Sequence, residues 1–148
     1  MNGAADEDPR PDEAPCGRLV TGVHSVRIPV SDPWASRDWY VAILGFESLL
    51  DLEEAERVVG VLLRHPSGIE IGLHHDPHRA AALAGFVLLS LAVPDRRALN
   101  ICAHELDQVG QRHSRVEEGH VGWHLDLPDP DGVLIRLHSF SAVDAEEA

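Results

Sequence analysis

The sequence predicts an α+β fold made of two βαβββ modules, and three observations support this prediction. The order of one strand, one helix and three strands occurs twice along the chain. In each copy an aspartate stands where it can cap the helix, Asp32 in the first and Asp95 in the second. Each helical pattern then stops at a glycine, Gly45 and Gly110. An internal repeat of this kind indicates two similar modules that share an interface.

The first module is predicted between about residues 19 and 76. Its opening strand, 23–30, alternates in polarity and contains Val and Ile, which favour strands. Pro33 suits the first turn of the helix that follows, and Trp39 and Tyr40 recur there at helical spacing and are predicted to be core residues. Three strand-like runs complete the module, with a Pro-Ser-Gly turn between the last two: 46–52, 57–65 and 69–74.

The second module, about residues 85–140, repeats this order. It is predicted to contain a strand (85–93), a helix (96–109), a weak strand (114–117) and two hairpin strands (122–127 and 133–140). The hairpin turn reads Asp-Pro-Asp-Gly. We interpret Asp129 and Asp131 as turn-forming residues rather than as a catalytic carboxylate pair, because Asp and Gly favour such turns.

The two ends of the chain differ from the modules. Residues 1–17 are rich in Pro, Asp and Glu and show no periodicity, so they are predicted to form a disordered acidic tail. Residues 142–148 look similar and are predicted to be a second tail, which leaves a single domain over 18–141. Part of the net charge of −13 therefore belongs to the tails.

Composition excludes several classes of partner. A net charge of −13 argues against nucleic acid, which needs a basic surface, and against anionic membranes. No apolar run is long enough to cross a bilayer, and the N-terminus lacks the features of a signal peptide. The two cysteines, Cys16 and Cys102, fit a reduced cytoplasmic protein better than a disulfide.

Four segments carry a resemblance to a known family: TGVHSVRIPVSDPWASRDWYVAILGFE, VVGVLLRHPSGIEIGLHHDP, LLSLAVPDRRALNICAHELDQVG and DLPDPDGVLIRLHSF. In this order they resemble the vicinal-oxygen-chelate superfamily of glyoxalases, bleomycin resistance proteins and extradiol dioxygenases, over about residues 19–140. The resemblance implies a curved mixed sheet with helices on its convex face and a substrate cup on its concave face. In many members four residues, on the first and last strands of the modules, hold one divalent metal in the cup.

The residues at those four positions do not suit a metal. Counting from the strand-to-helix junctions and the hairpin turns places the positions on Ser25, Leu88, Arg136 and either Glu70 or Gly72. Leucine has no donor atom, and a guanidinium is cationic and has no lone pair to offer. Because such ions need three or more oxygen or nitrogen donors, we predict no metal and no cofactor at the family position.

Ten histidines leave a displaced metal site open as an alternative. A second site could be built from His74 and His138, which are both predicted near the mouth of the cup. The competing interpretation is that the histidines are polar side chains at strand ends and in loops, with no preset geometry.

Strand alternation predicts which other side chains face the cup. Arg27 and Arg136 both do, and buried guanidinium groups need partners. Glu70 could neutralise one or both, or one arginine could bind an anionic group of the ligand. Phe86, Leu88 and Leu134 would form an apolar wall. The candidate ligand-binding residues are Ser25, Arg27, Glu70, His74, Phe86, Leu88, Ser90, Leu134, Arg136 and His138.

Three functions remain open at this point. The leading hypothesis is a glyoxalase- or bleomycin-resistance-like protein that binds a small organic molecule without the usual metal. The alternative is an enzyme of the same superfamily, either a metal-free lyase or isomerase or a metal-dependent lyase or dioxygenase with a displaced site. A third is an interaction module whose cup is filled by its own side chains. The resemblance implies a homodimer in each case; the ligand, and whether the modules pair within one chain or between two, stay open.

Overall fold

The computed structural model describes residue 8 and residues 10–140. In chain order the elements are two 3₁₀ turns (Pro11–Glu13 and Gly17–Leu19), β1 (Val26–Val30), α1 (Pro33–Leu44), β2 (Glu47–Glu54), β3 (Arg57–Arg64), β4 (Glu70–His75), α2 (Pro77–Ala82), β5 (Val87–Ala92), α3 (Arg96–Gln108), β6 (Glu117–Glu118), β7 (Trp123–Pro128) and β8 (Leu134–Ser139). The α+β prediction of two βαβββ modules is confirmed, with α2 inserted between them.

Each module forms its own four-stranded mixed sheet. The strand orders are β1-β4-β3-β2 in module one and β5-β8-β7-β6 in module two. In both sheets the first strand pairs in parallel with the last strand of its module, and the remaining pairs are antiparallel. The last strand of each module is therefore central, and its side chains are flanked on both sides.

The predicted helix caps form as expected. The Asp32 carboxylate accepts hydrogen bonds from the amides of Trp34 and Ala35 at 3.0 and 3.2 Å, and Asp95 accepts one from Ala98 at 2.8 Å. Gly45 ends α1 with φ at 75°, a conformation that glycine adopts without strain.

Three elements depart from the sequence prediction. β1 begins at Val26 rather than at residue 23, and the weak strand comes out as the two-residue β6. The short helix α2 was not predicted, although Asp76 caps it by accepting from the Arg79 amide at 3.1 Å. Six residues are too few to show a helical period in the sequence.

The predicted tails fall partly or wholly outside the described residues. Residues 1–7, residue 9 and residues 141–148 are not described, so the tail at 142–148 stays a prediction. No helix in the described part of the chain is both long enough and apolar enough to span a membrane.

A single apolar core joins the two modules. It is formed by the helix-side faces of both sheets together with side chains of α1 and α3. Its fully buried members include Ile28, Val30, Tyr40, Val61, Leu63, Ile71, Leu73, Leu99, Leu125, Leu127 and Ile135. Because both sheets turn their helix side toward this shared core, their other faces point away from it. We name these outer faces open face one (module one) and open face two (module two).

Polar contacts fix the junction between the modules. The Trp39 indole N–H donates to the Gln111 side-chain oxygen at 2.9 Å, and the Ser31 amide donates to the Asp131 carboxylate at 3.0 Å. Trp39 is thus partly buried, as predicted for a core residue, but its polar atom also binds across the junction.

The most buried of these contacts joins Tyr40 to Asp129. The Tyr40 hydroxyl, on a side chain with no exposed surface, donates to the Asp129 carboxylate at 3.0 Å. Asp129 also accepts from the Asp131 and Val133 amides at 2.9 and 3.1 Å, which shapes the hairpin turn as predicted. Burial raises the pKa of the Asp129 carboxyl, and burial together with the nearby carboxylate raises the pKa of Tyr40.

Candidate functional site

Open face one is built around the central strand β4. Gly72 lies between Arg27 of β1 and Leu62 of β3 in the strand register, and His74 lies opposite Pro29. Residues directly opposite one another share a face of the sheet. These five residues therefore stand on the side away from the helices, as strand alternation predicted for Arg27 and His74.

Glu70 does not neutralise Arg27 or Arg136, the ion pair considered from the sequence. It pairs instead with Arg64, whose Nε donates to a Glu70 carboxylate oxygen at 3.0 Å. Arg64 lies directly opposite Glu70 in the β3–β4 register, which explains the choice of partner. Within the described residues Arg27 forms no ion pair or hydrogen bond through its side chain, and it is exposed on open face one.

His74 lies beside this arginine. A Cβ atom built on Gly72 would come within 3.1 Å of His74 Nε2, so the imidazole folds back over the glycine. Partial burial lowers the pKa of His74, and the positive charge of Arg27 lowers it further. The imidazole is therefore mainly neutral near neutral pH, and Arg27 carries the positive charge of this cluster.

Open face two carries a second arginine, and here the charge is balanced. Arg136 of β8 lies opposite Asp126 of β7, and its Nε and a terminal nitrogen donate to the two carboxylate oxygens at 2.8 and 3.0 Å. This bidentate pair raises the pKa of Arg136. Sequence reasoning missed Asp126 because its partner is defined by the strand register, which a single sequence does not fix.

The remaining module-two candidates lie along β5 and β8. Ser90 lies opposite Arg136 and is exposed on the same face. A register shift between Val87 and Leu89 leaves Leu88 as an inserted residue, so Leu134 faces Val87 rather than Leu88. Leu88 is partly buried and also packs against the core cluster, whereas Phe86, just before β5, is 56% exposed.

A shallow cavity of about 750 Å³ lies on open face two, and module-two residues alone line it: Glu118, Gly119, His120, Val121, His124, Arg136 and His138. His138 lies opposite His124, and its Nε2 is hydrogen-bonded to the Val121 carbonyl oxygen. Because a carbonyl only accepts, this nitrogen carries the proton and is not free to bind a metal.

The candidate residues therefore fall into two groups within one chain. Arg27, Glu70 and His74 lie on open face one, with Ser25 just before β1, where its hydroxyl is 3.2 Å from the Nδ1 of His24. Ser90, Leu134, Arg136 and His138 lie along β5 and β8 on open face two. His74 and His138 thus belong to different sheets, and within one chain they do not form the second metal site considered from the sequence.

Comparison with known proteins establishes the family. A sequence model of the glyoxalase/bleomycin resistance protein/dioxygenase superfamily matches residues 22–137. The chain belongs to this superfamily. The resemblance noted in the sequence is thereby confirmed, as is the fold that it implied. No curated protein matched the chain in sequence.

Solved structures of the superfamily share its fold. A glyoxylase/bleomycin resistance protein/dioxygenase domain from Frankia sp. EAN1pec is 23% identical, with 82% of this chain and 99% of that chain covered and a TM-score of 0.66. TnmS3, an antibiotic binding protein from Streptomyces sp. CB03234, is 22% identical over 82% of this chain and 98% of its own, with a TM-score of 0.68. The fosfomycin resistance protein FosX from Listeria monocytogenes is 12% identical over 84% and 98%, with a TM-score of 0.67.

The metal that many superfamily members hold does not fit the residues found here. Glu70 is engaged by Arg64, Gly72 has no side chain, Leu88 has no donor, and Arg136 is a cation bound to a carboxylate. No group of three or more His, Cys, Asp and Glu side chains within residues 10–140 is arranged to hold a metal ion.

Proposed function

We propose that this protein binds a small organic molecule with an anionic group, without a bound metal, and that Arg27 recognises that group. The observation that carries the proposal is the absence, within the described residues, of any partner for the Arg27 guanidinium. Two other arginines on the open faces, Arg64 and Arg136, are each held by a carboxylate directly opposite on the neighbouring strand. Arg27 is left with five donor N–H groups in a geometry that suits a carboxylate or phosphate.

The surroundings of Arg27 support an organic ligand rather than a simple ion. On open face one, Pro29 lies two residues along β1 from Arg27, and Leu62 lies on the far side of Gly72 from it. Leu50, opposite Leu62, is 49% exposed. A mostly apolar surface with a few polar groups is the usual composition of a small-molecule site. TnmS3, which has the same fold, is described as an antibiotic binding protein.

We further propose that a homodimer completes the cup. The two groups of candidate residues lie on faces that both point away from the shared core, so one chain cannot enclose a ligand between them. A second copy could place its open face two over open face one, and two-fold symmetry would then generate two identical cups. In that arrangement Arg27 of one chain and Ser90, Arg136 and His138 of the other would line one site.

A thermal-shift screen of aromatic carboxylates, each paired with its neutral amide, tests the ligand proposal. We expect carboxylates to stabilise the protein without added metal. Arg27→Gln should lower the affinity about tenfold or more, because a charge-assisted hydrogen bond contributes about 1.5–3 kcal/mol. Arg37→Gln removes the same charge from α1, where Arg37 pairs with Asp38, and serves as the matched control. Equal affinity in R27Q and R37Q would contradict the proposal.

Two further measurements address the dimer and the enzymatic alternative. Light scattering after size exclusion should give the mass of two chains, and a monomer that binds ligand at full affinity would contradict the shared cup. Elemental analysis after dialysis, followed by activity assays with and without metal, tests the superfamily's lyase and dioxygenase chemistry. A stoichiometric ion that is required for turnover would replace the binding proposal with a displaced metal site. We also propose a cytoplasmic location, where Cys16 and Cys102 stay as the free thiols that the structure contains.

A further inference from the structure

A second cavity lies on the opposite side of the sheets from the open faces. This helix-side cleft, of about 490 Å³, runs between the end of α1 and one stripe of α3. Its walls include Ile43, Leu44, Leu91, Cys102, Glu105 and Val109. Leu91 lies opposite the core residue Leu137 in the strand register, on the helix side of the sheet. The cleft is therefore separate from the proposed cup.

The cleft is lined mainly by apolar side chains and contains one carboxylate. Cys102, Glu105 and Val109 are spaced so that they lie along one side of α3, next to the stripe that enters the core. Glu105 is the one carboxylate of the lining, and it forms no ion pair within the described residues. The polar side chains His65 and Ser67 also line the cleft, and they are hydrogen-bonded to each other, His65 Nδ1 to the Ser67 hydroxyl at 2.8 Å.

Glu105 lines the cleft together with Cys102, which lies one turn before it on α3. Burial raises the pKa of the Cys102 thiol, and the negative charge of Glu105 raises it further. Val109, one turn beyond Glu105, is 67% exposed, which leaves an apolar side chain at the rim without cover from the described residues.

We propose that the helix-side cleft is a second binding site, and that it takes a small organic cation with an apolar body and a protonated amine. The apolar body would contact Ile43, Leu44 and Leu91, and the amine would pair with Glu105. The volume of about 490 Å³ lies within the range of small-molecule sites, roughly 300–1,000 Å³. The Glu105 carboxylate, in a lining that contains neither lysine nor arginine, favours a cation over an anion.

The chain's own C-terminal residues are a less suitable occupant. They continue from Phe140, close to the end of the sheet at which the Val93 amide binds the His138 carbonyl. They carry Asp144, Glu146 and Glu147, which have the same sign of charge as Glu105. Charge complementarity therefore favours an external cation over this segment.

The two cysteines provide the assay. Cys102 lines the cleft, whereas Cys16 is an exposed free thiol that lies outside its lining, so both can be followed in one sample. The full chain is labelled with N-ethylmaleimide in the presence of 4-phenylbutylamine, and modification of each cysteine is measured by mass spectrometry. We expect the amine to slow labelling of Cys102 in a saturable manner and to leave Cys16 unchanged.

Four variants sharpen the result. Glu105→Gln should weaken protection by the amine roughly fivefold, the size expected for a single exposed ion pair, and Glu53→Gln on β2 should not. Val109→Trp, at an exposed position on the rim, should block the cleft and abolish protection without disturbing the core. Arg27→Gln should leave protection unchanged, which separates this site from the proposed cup.

Three outcomes would overturn the proposal. The first is unaltered labelling of Cys102 at millimolar amine. The second is equal protection by 4-phenylbutyrate, which has the same apolar body but the opposite charge. The third is a roughly tenfold faster reaction of Cys102, without any probe, in a chain that ends at Phe140, because that would show the C-terminal residues already filling the cleft.

Discussion

Replacing Tyr40 with Phe removes one hydroxyl from the buried junction between the modules and nothing else. In the native protein this hydroxyl donates to the Asp129 carboxylate at 3.0 Å, and the Tyr40 side chain has no exposed surface. Hydrogen bonds to charged groups contribute about 1.5–3 kcal/mol, and the carboxylate oxygen left behind cannot easily recruit water. We therefore expect Y40F to lower the free energy of unfolding by about 2 kcal/mol.

Chemical denaturation of Y40F, D129N and the double variant measures this energy. For a chain of this length about 2 kcal/mol corresponds to a fall in Tm of roughly 4–8 °C. The amide introduced by D129N keeps an oxygen for the Asp131 and Val133 amides, so this variant tests the charge with little change of shape. In the double-mutant cycle, Y40F should cost less in the D129N background because the acceptor is no longer charged.

The pH dependence gives an independent check on the same pair. Burial raises the pKa of Asp129 in the folded state, so the folded protein binds this proton more tightly than the unfolded chain does. The stability from this group is therefore complete below the unfolded pKa of about 3.9 and is lost as pH rises through the folded value. D129N lacks this loss, so its stability relative to the native protein should increase as pH rises above about 4.

Two results would refute this reasoning. One is a Y40F variant within about 0.5 kcal/mol of the native protein near neutral pH, which is the range of ordinary surface substitutions. The other is a D129N difference that stays constant from about pH 4 to about pH 7. The first would mean that the Tyr40–Asp129 hydrogen bond contributes nothing measurable to the junction, and the second that burial does not raise the pKa of Asp129.

Three more predictions concern the rest of the chain. The hydrogen bond to Asp107 raises the pKa of His113. The pair should therefore stabilise the fold below about pH 6.5, and this contribution should be lost as pH rises through the folded pKa of His113. In urea titrations we expect D107N to be destabilised at about pH 5.5 but not at about pH 8.5. Asp32→Ala removes the cap of α1 and should cost about 1 kcal/mol by thermal denaturation, and a cost near zero would contradict the cap. Gly122→Ala places a Cβ 1.8 Å from a backbone oxygen and should unfold or severely destabilise the protein. Gly85 has a similar positive φ but open space around it, so Gly85→Ala should cost only about 1 kcal/mol in the same assay.

Local rules were sufficient for most of the elements and for the face on which Arg27 and Arg136 lie. Asp32 and Gly45 delimit α1 because capping depends on neighbouring residues only. Strand alternation placed Arg27 and Arg136 on the side away from the helices, since a period of two depends only on the strand itself. The face on which Leu88 lies could not be predicted in this way, because alternation does not reveal the register shift between Val87 and Leu89.

The ion pairs between side chains of neighbouring strands could not be predicted from the sequence. Arg64–Glu70 and Arg136–Asp126 are each directly opposite in the register, and the register is fixed by turns and by the core rather than by the two residues themselves. The spacing of Glu70 allowed a pair with Arg27 as readily as one with Arg64. The strand register in the structure shows that Arg64 and Arg136 are each paired with a carboxylate and that Arg27, among the described residues, is not.

The arrangement of the two sheets decides how these residues could act together. Alternation assigns a side chain to one face of its own strand, but it does not say which faces of two sheets meet. That choice rests on residues such as Tyr40 and Asp129, which join the modules through the helix side and so leave both open faces outward. A ligand that contacts Arg27 and Arg136 together therefore requires a second chain. If R27Q and R136Q subunits are mixed, a shared cup predicts that one intact site forms in each mixed dimer, with both wild-type side chains present. Mixing should then restore ligand binding that neither variant shows alone, whereas a cup within one chain would stay inactive in every mixture.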